Sequence, residues 1–242
     1  VFVQRGCAGG WEKVGTATTT DTGQHAPVEG VTDDGARVFF EIPKDKALAV
    51  GRHRVRMVVA GDQTFADAIL DVVPEGTPVF VSDVDGTLTE NETAEYSTLL
   101  SGAQPPAHPK AADALAALAS KGIRPVYVTS RPEWLSGRTR EFLAEKGFPP
   151  GIVVTTQGVT GTYGAFARDF KVRELARIPA HGVKVAWAFG NHAIDAEAFH
   201  AAKIDPVDHR VFLRMDDPNG GRRIEAYSEI LPTLEAAPAT CK

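Results

Sequence analysis

Along the first 78 residues apolar and polar positions alternate in short runs, and after residue 78 the period changes. Val38-Phe39-Phe40-Glu41-Ile42 stops at Pro43, Val55, Met57 and Val59 repeat every second residue, and Ala68-Ile69-Leu70-Asp71-Val72-Val73 follows. Turn signals separate the runs: Asp-Thr-Gly at 21–23, Asp-Asp-Gly at 33–35 and Ala-Gly-Asp at 60–62. Short strands without helical periodicity predict an all-β unit, a small sandwich of loosely immunoglobulin-like form. Pro74-Glu75-Gly76-Thr77-Pro78 reads as a boundary, so the expected domains are residues 1–77 and residues 78–242.

Beyond Pro78 the pattern becomes strand, helix, strand. Val79-Phe80-Val81-Ser82 is an apolar strand, and Ala111, Leu115, Leu118 and Ala119 share one face of a helix that Gly122 closes. Strands at 125–128, 152–154, 183–189 and 211–213 alternate with helices expected at 132–147, 169–178 and 193–202. That alternation predicts an α/β fold, a Rossmann-like parallel sheet with helices on both faces.

Composition narrows the class. With 242 residues and 43% hydrophobic content the chain can bury a real core, which excludes a disordered or collagen-like protein. No apolar run approaches the roughly 20 residues of a spanning helix. A net charge of −5 gives no broad basic surface, so no nucleic-acid partner is expected. Two cysteines, Cys7 and Cys241, are too few for a disulfide framework or a structural zinc site. They form either one bridge between distant parts of the chain or two unrelated thiols. The compartment stays open: a secreted or periplasmic setting is favoured over a cytoplasmic one, and peripheral attachment to a membrane is compatible with both.

In a sheet of this kind ligands bind beyond the carboxyl ends of the strands. Those ends carry Asp83-Val84-Asp85-Gly86-Thr87, Thr129-Ser130 and Gly190-Asn191, with Asp195 four residues further on, while Lys171 lies in the helix before the fourth strand. Two carboxylates at i and i+2, with Gly86 permitting a sharp turn, need a cation, and oxygen ligands point to Mg²⁺. Asp83 is then placed as a nucleophile toward phosphorus and Asp85 as the proton carrier. Thr129 and Lys171 would hold phosphoryl oxygens, with Arg168 and Lys184 as rivals for the lysine's place. Asn191 is a neutral metal ligand, and Asp195 either joins the metal site or anchors Lys171.

These phrases resemble a known superfamily. Asp83-Val84-Asp85-Gly86-Thr87-Leu88-Thr89 is similar to the first motif of haloacid-dehalogenase-like (HAD) phosphatases, and Thr129, Lys171 and Gly190-Asn191…Asp195 follow as its second, third and fourth motifs. Val81-Ser82-Asp83-Val84-Asp85-Gly86-Thr87, Tyr127-Val128-Thr129-Ser130-Arg131-Pro132, Phe170-Lys171 and Ala188-Phe189-Gly190-Asn191 most resemble lipin-type phosphatidate phosphatases and the lipin-like C-terminal domain of membrane-associated phosphatidylinositol transfer proteins. The likeness spans about residues 79–235. It implies a Mg²⁺-dependent phosphatase with an aspartyl-phosphate intermediate and a phosphorylated substrate, a lipid such as phosphatidate at a membrane surface. It implies catalytic Asp83, Asp85, Thr129 and Lys171, and Mg²⁺ ligands Asp83, Asp85, Asn191 and Asp195. Gly86, Thr87, Ser130, Arg131 and His192 would then meet the substrate.

The fourth motif departs from the lipin pattern Gly-Asn-Arg-Pro-Asn-Asp, since His192-Ala193-Ile194 separates Asn191 from Asp195. The resemblance also implies that some transfer-protein relatives, having lost the first Asp, only bind lipid, so the presence of Asp83 favours catalysis. The alternatives are an idle phosphatidate-binding module and an open-site phosphatase for proteins, nucleic acid or metabolites. Only 46 positions separate Asp83 from Thr129, which leaves no room for a cap domain. Specificity is therefore expected from loops 90–109 and 157–168, through Tyr96, Leu99, Leu100, Tyr163, Phe166 and Phe170. Arg131, Arg138 and Arg140 read most simply as a solvated helix face, and Trp11, Trp134 and Trp187 as core or half-buried aromatics.

Overall fold

A computed structural model describes residues 1–99 and 101–239. The chain divides into two compact units, Val1–Pro74 and Glu75–Lys242. The first is all-β. Strands β1 (Phe2–Gln4), β2 (Glu12–Lys13), β3 (Gly51–Val58) and β4 (Phe65–Val72) form one antiparallel sheet in the order β2-β1-β3-β4. The long β3–β4 hairpin pairs Gly51 with Val72 through to Val58 with Phe65.

Residues 38–42 form no strand, contrary to their β-like composition. Side chains anchor this stretch instead. Phe39 stacks on His25 with ring centroids 4.0 Å apart, and Phe40 lies so close to Gly15 that a β-carbon there would strike its ring.

The second unit holds a six-stranded parallel sheet. Its strands are β5 (Pro78–Ser82), β6 (Arg124–Pro132), β7 (Ile152–Thr156), β8 (Lys184–Gly190), β9 (Arg210–Leu213) and β10 (Arg222–Ile224), in the order β10-β9-β8-β5-β6-β7. The helices are α1 (Ala94–Leu99), α2 (Ala111–Ser120), α3 (Ser136–Glu145), α4 (Gly164–Ala180), α5 (Ala193–Ala201) and α6 (Tyr227–Ala236). Strand β5 is central, paired with β6 on one side and β8 on the other, so the order reverses at its carboxyl end. The period of two along β5 splits the core. Phe80 joins the cluster with Leu115, Phe142 and Tyr227, under α2, α3 and α6, while Val79 and Val81 join the one with Phe170 and Phe199, under α4 and α5. Both faces are covered, which explains why these strands are apolar throughout.

Helix α2 shows how each helix is returned to the sheet. Gly122 N donates to Ala119 O and Ile123 N to Leu118 O, and Ile123 buries itself against the same cluster as Leu118. This Schellman exit recurs after α3 and α4. Helix α3 starts later than Pro132 suggests, because Pro132 ends β6 and a 3-10 turn (Glu133–Leu135) intervenes. Helix α4 starts earlier, at Gly164 rather than Asp169, and its added first turn carries exposed Phe166. Between β5 and β6 the inserted structure is α1 alone among the described residues before α2. Among the described residues, no cap domain is inserted between β5 and β6.

Candidate active site

The chain leaves β5 through Asp83 and turns at once. Leu88 N and Thr89 N both donate to Val84 O, and Gly86 N donates to Thr89 Oγ1 at 2.9 Å. Val84 and Leu88 are fully buried, so apolar side chains pin a loop whose polar residues face the other way. Gly86 has φ +71°, and a β-carbon there would collide with the side chains of Asn191 and Glu92. Tyr227 OH donates to Thr87 O at 3.0 Å from the far side of the core, and the His108 ring nitrogen lies 3.2 Å from Gly86 O.

Lys171, from the middle of α4, is buried and bonded to two carboxylates. Its Nζ donates to Asp83 Oδ1 at 2.8 Å and to Asp195 Oδ1 at 2.6 Å. The other oxygen of Asp195 accepts from the main-chain N–H groups of Asn191 and His192, each at 3.1 Å, and so caps the start of α5. This packing needs a glycine at 190, where a β-carbon would strike the Asp195 carboxylate. Thr87 Oγ1 donates to Asn191 Oδ1 at 2.7 Å and lies 3.3 Å from Asp83 Oδ2, which ties the first strand end to the fourth.

The second carboxylate has a different partner. Arg131 grips Asp85 with a fork, Nη2 to Oδ1 at 2.7 Å and Nε to Oδ2 at 2.9 Å, and Thr129 Oγ1 lies 3.4 Å from the same oxygen. The arginine is itself buried. Its Nη1 donates to Thr139 Oγ1 and stands 3.1 Å from Glu95 Oε2, an ion contact off the hydrogen-bond axis. Glu95, fully buried at the start of α1, also pairs with Arg138 of α3. Arg131 and Arg138 therefore do not form a solvated face. They are the cations that hold the 90–109 excursion against the sheet.

These groups lie at the bottom of a cavity of about 350 Å³, walled by Tyr96, Ser130, Tyr163 and His192. Burial pushes the Asp83 carboxyl up to about 7 against the pull of Lys171, and Asp195 and Asp85 add to the rise. Burial alone would lower Lys171, but Asp195 and Asp83 hold its ammonium well above the ordinary range. Burial also raises Glu92, whose carboxylate accepts from Asn191 Nδ2 at the rim.

The charges test whether a cation belongs here. Five carboxylates (Asp83, Asp85, Glu92, Glu95 and Asp195) meet three cations, Lys171, Arg131 and Arg138. Two negative charges remain, as many as one divalent ion neutralises. The donors are carboxylate and amide oxygens, the hard set that suits Mg²⁺. Among the described residues no three His, Cys, Asp or Glu side chains gather as a metal site, so the donor set and the charge balance alone speak for the ion.

The structure brings Asp83, Asp85, Gly86, Thr87, Thr129, Lys171, Asn191 and Asp195 together, with Ser130, Arg131 and His192 in the walls. Of the rivals, Lys184 is exposed and Arg168 is half-buried, pairing with Asp169 and Glu197. Phe170 is buried in the core, which removes it from the rim, and Leu99 is half-buried. Trp134 is exposed, against the expectation of a core or half-buried ring. Leu100 and Cys241 lie outside the described residues, and Cys7 is exposed. Glu92 and Glu95 were not expected at the site, since neither stands at a strand end nor repeats with a core period.

A central parallel strand that ends in Asp-x-Asp-Gly-Thr, opposite a buried lysine and an Asn…Asp pair, places the site at the carboxyl edge of a Rossmann-like parallel α/β sheet. The chain matches the family described as "PITM 1-3, LNS2 domain" over residues 80–213 and that described as "PITM 1-3, beta-sandwich domain" over residues 12–72. It belongs to the LNS2 domain family. Membrane-associated phosphatidylinositol transfer protein 1 of Rattus norvegicus is 35% identical over 130 residues, 54% of this chain and 10% of that protein. Protein retinal degeneration B of Drosophila melanogaster is 28% identical over 165 residues, 66% of this chain and 12% of that protein. The chain thus spans about a tenth of the length of the relatives it matches. Among solved structures, a protein from Mesorhizobium loti described as HAD-like has a TM-score of 0.47 at 15% identity, covering 78% of this chain and 96% of that one. The Bacillus anthracis class C acid phosphatase has a TM-score of 0.38 at 19% identity, covering 50% and 54%. The name of the phosphatidylinositol transfer protein calls it membrane-associated and gives no support to a secreted or periplasmic setting. No helix among the described residues is long and apolar enough to cross a membrane.

Proposed function

We propose that the α/β domain hydrolyses a phosphomonoester in a Mg²⁺-dependent reaction, and that the substrate is phosphatidate or a related lipid phosphate. The observation that carries this reading is Asp83, buried on Lys171 and lining an open cavity together with Asp85. An Asp83 oxygen attacks phosphorus, the O–P bond of an acyl phosphate forms, and the bond from phosphorus to the leaving alcohol oxygen breaks. Asp85 gives its proton to that oxygen and then takes one from the water that cleaves the aspartyl phosphate. Thr129, Ser130, Lys171 and Arg131 offer donors to the non-bridging oxygens, together with the backbone at Gly86 and Thr87. Asp83, Asp85 and Asn191 would hold the Mg²⁺, with Asp195 beneath them already engaged by Lys171 and two N–H groups. When bound, the ion screens the carboxylates from the incoming phosphate and neutralises charge on the phosphoryl group.

One observation favours a second reading, a phosphatidate-binding module without turnover. Arg131 occupies both oxygens of Asp85, the residue on which proton transfer depends. The similarity to proteins named for phosphatidylinositol transfer agrees with either reading. Phosphate release from lipid, protein, nucleic-acid and metabolite phosphates, with Mg²⁺ and with chelator, separates them. The account expects release from phosphatidate that needs Mg²⁺ and disappears in Asp83→Asn. Saturable phosphatidate binding with no release would establish the second reading.

A further inference from the structure

Beside the cavity, on the segments that carry its lining residues Tyr96, Arg131 and Tyr163, stands an unusual set of exposed side chains. Val159 is 80% exposed, Phe166 78%, Tyr163 69% and Trp134 56%, with Tyr96 beside them. They are linked. Trp134 Nε1 donates to Val159 O at 2.7 Å, and Tyr163 OH lies 3.4 Å from Tyr96 OH. The loop that bears them is not loose. Thr162 N donates to Ser130 O at 3.1 Å, and Gly161 sits so tightly on the end of β6 that a β-carbon would strike Ser130 O. From Gln157 to Phe166 there is no charged residue. Single exposed apolar side chains are ordinary, whereas a linked group on a fixed loop marks an interaction surface.

Charge and polarity along the cavity say what that surface meets. On the reading above, the polar end of the cavity, where Lys171 and Arg131 each hold a carboxylate, takes a phosphoryl group, while the segment from Gln157 to Phe166 beside it presents uncharged, apolar and aromatic groups. A molecule that fits both has an anionic head and an apolar remainder. The indole and phenol groups have their polar atoms engaged and their rings exposed, as side chains at a water–lipid boundary do.

We propose that this rim docks on a lipid bilayer, with Val159 and Phe166 seated among acyl chains and Trp134, Tyr163 and Tyr96 at headgroup level. The cavity mouth then opens onto the lipid phosphates without a lid. The inference rests on the lipid-phosphate reading above for the direction of approach, and it adds the surface that makes the approach.

The test uses the full chain with phosphatidylcholine vesicles, with and without phosphatidate, read by co-sedimentation. The double variant Val159→Asp/Phe166→Asp, whose two residues lie outside the cavity walls, should partition roughly tenfold or more weakly than wild type. Hydrolysis of a soluble phosphomonoester by the single variant Val159→Asp, at a residue outside the cavity lining, should be unchanged. As a second measurement, acyl-brominated lipid should quench wild-type fluorescence, and Trp134→Phe should remove that quenching. Equal partitioning of the double variant, or no quenching in wild type, overturns the proposal. So does a wild-type dimer in sedimentation velocity that the double variant loses, since the rim would then serve a second copy. Docking through the rim without phosphate release would sink the hydrolase reading and leave this one standing. Release without docking would do the reverse.

Discussion

Replacing Lys171 by Met removes one ammonium and keeps most of the side-chain volume. In the structure that ammonium is buried between Asp83 at 2.8 Å and Asp195 at 2.6 Å, and Asp195 is fully buried. Without it two carboxylates face each other inside the domain. Removing one partner of a buried ion pair costs about 3–5 kcal/mol, because the charge left behind has no compensation. The loss should depend on pH. The stranded carboxyls acquire folded-state pKa values above their unfolded ones, so the folded variant binds extra protons on acidification and regains stability as pH falls. Each unit of such a rise contributes about 1.4 kcal/mol. Urea unfolding of wild type and Lys171→Met in chelator should therefore show a large difference at pH 8 that narrows toward pH 5. A variant as stable as wild type at pH 8, or a deficit independent of pH, would refute the buried-pair account.

Gly86→Ala forces a side chain into a left-handed backbone and against Asn191 and Glu92. It should cost about 1–2 kcal/mol in thermal unfolding and, on the proposed Mg²⁺ site, abolish the rise in Tm that added Mg²⁺ should produce in wild type. Glu95→Gln leaves Arg131 and Arg138 without their shared carboxylate, and denaturant unfolding should show a loss of about 3 kcal/mol. Asp83, raised from 3.8 to about 7, makes the folded metal-free protein hold an extra proton between those values. Wild-type stability in chelator should then fall as pH rises through that window, and Asp83→Asn should lack this fall, as unfolding at a series of pH values would show.

Much of the α/β unit is legible in the sequence because its strands are buried on both faces and its helices carry a regular apolar stripe. The strand ends could be placed for that reason, and with them Asp83, Thr129 and Asn191. What escaped has a physical cause in each case. Residues 38–42 have the composition of a strand, but their aromatic side chains bind across the loop to His25 and Gly15 rather than to a neighbouring ladder. Strand β10 and helix α6 follow a polar turn and fill the last edge of the core, and their burial is decided by α2. Glu95 and Arg138 look like surface charges at helical spacing, because a buried ion pair is defined by a partner from a distant element. Arg131 follows Thr129-Ser130 directly, yet only the fold shows that its fork closes on Asp85.

The central claim is that Asp83 carries the phosphoryl group, and trapping that bond tests it most directly. Wild-type chain mixed with ³²P-labelled phosphatidate and Mg²⁺, then quenched in acid during the first turnover, should retain label on the protein. Hydroxylamine should release it, as it does an acyl phosphate, and peptide mapping should place it on Asp83. Neither chelator-treated protein nor Asp83→Asn should be labelled. Phosphate release from the Asp83→Asn protein, or label on any other residue, would contradict the account.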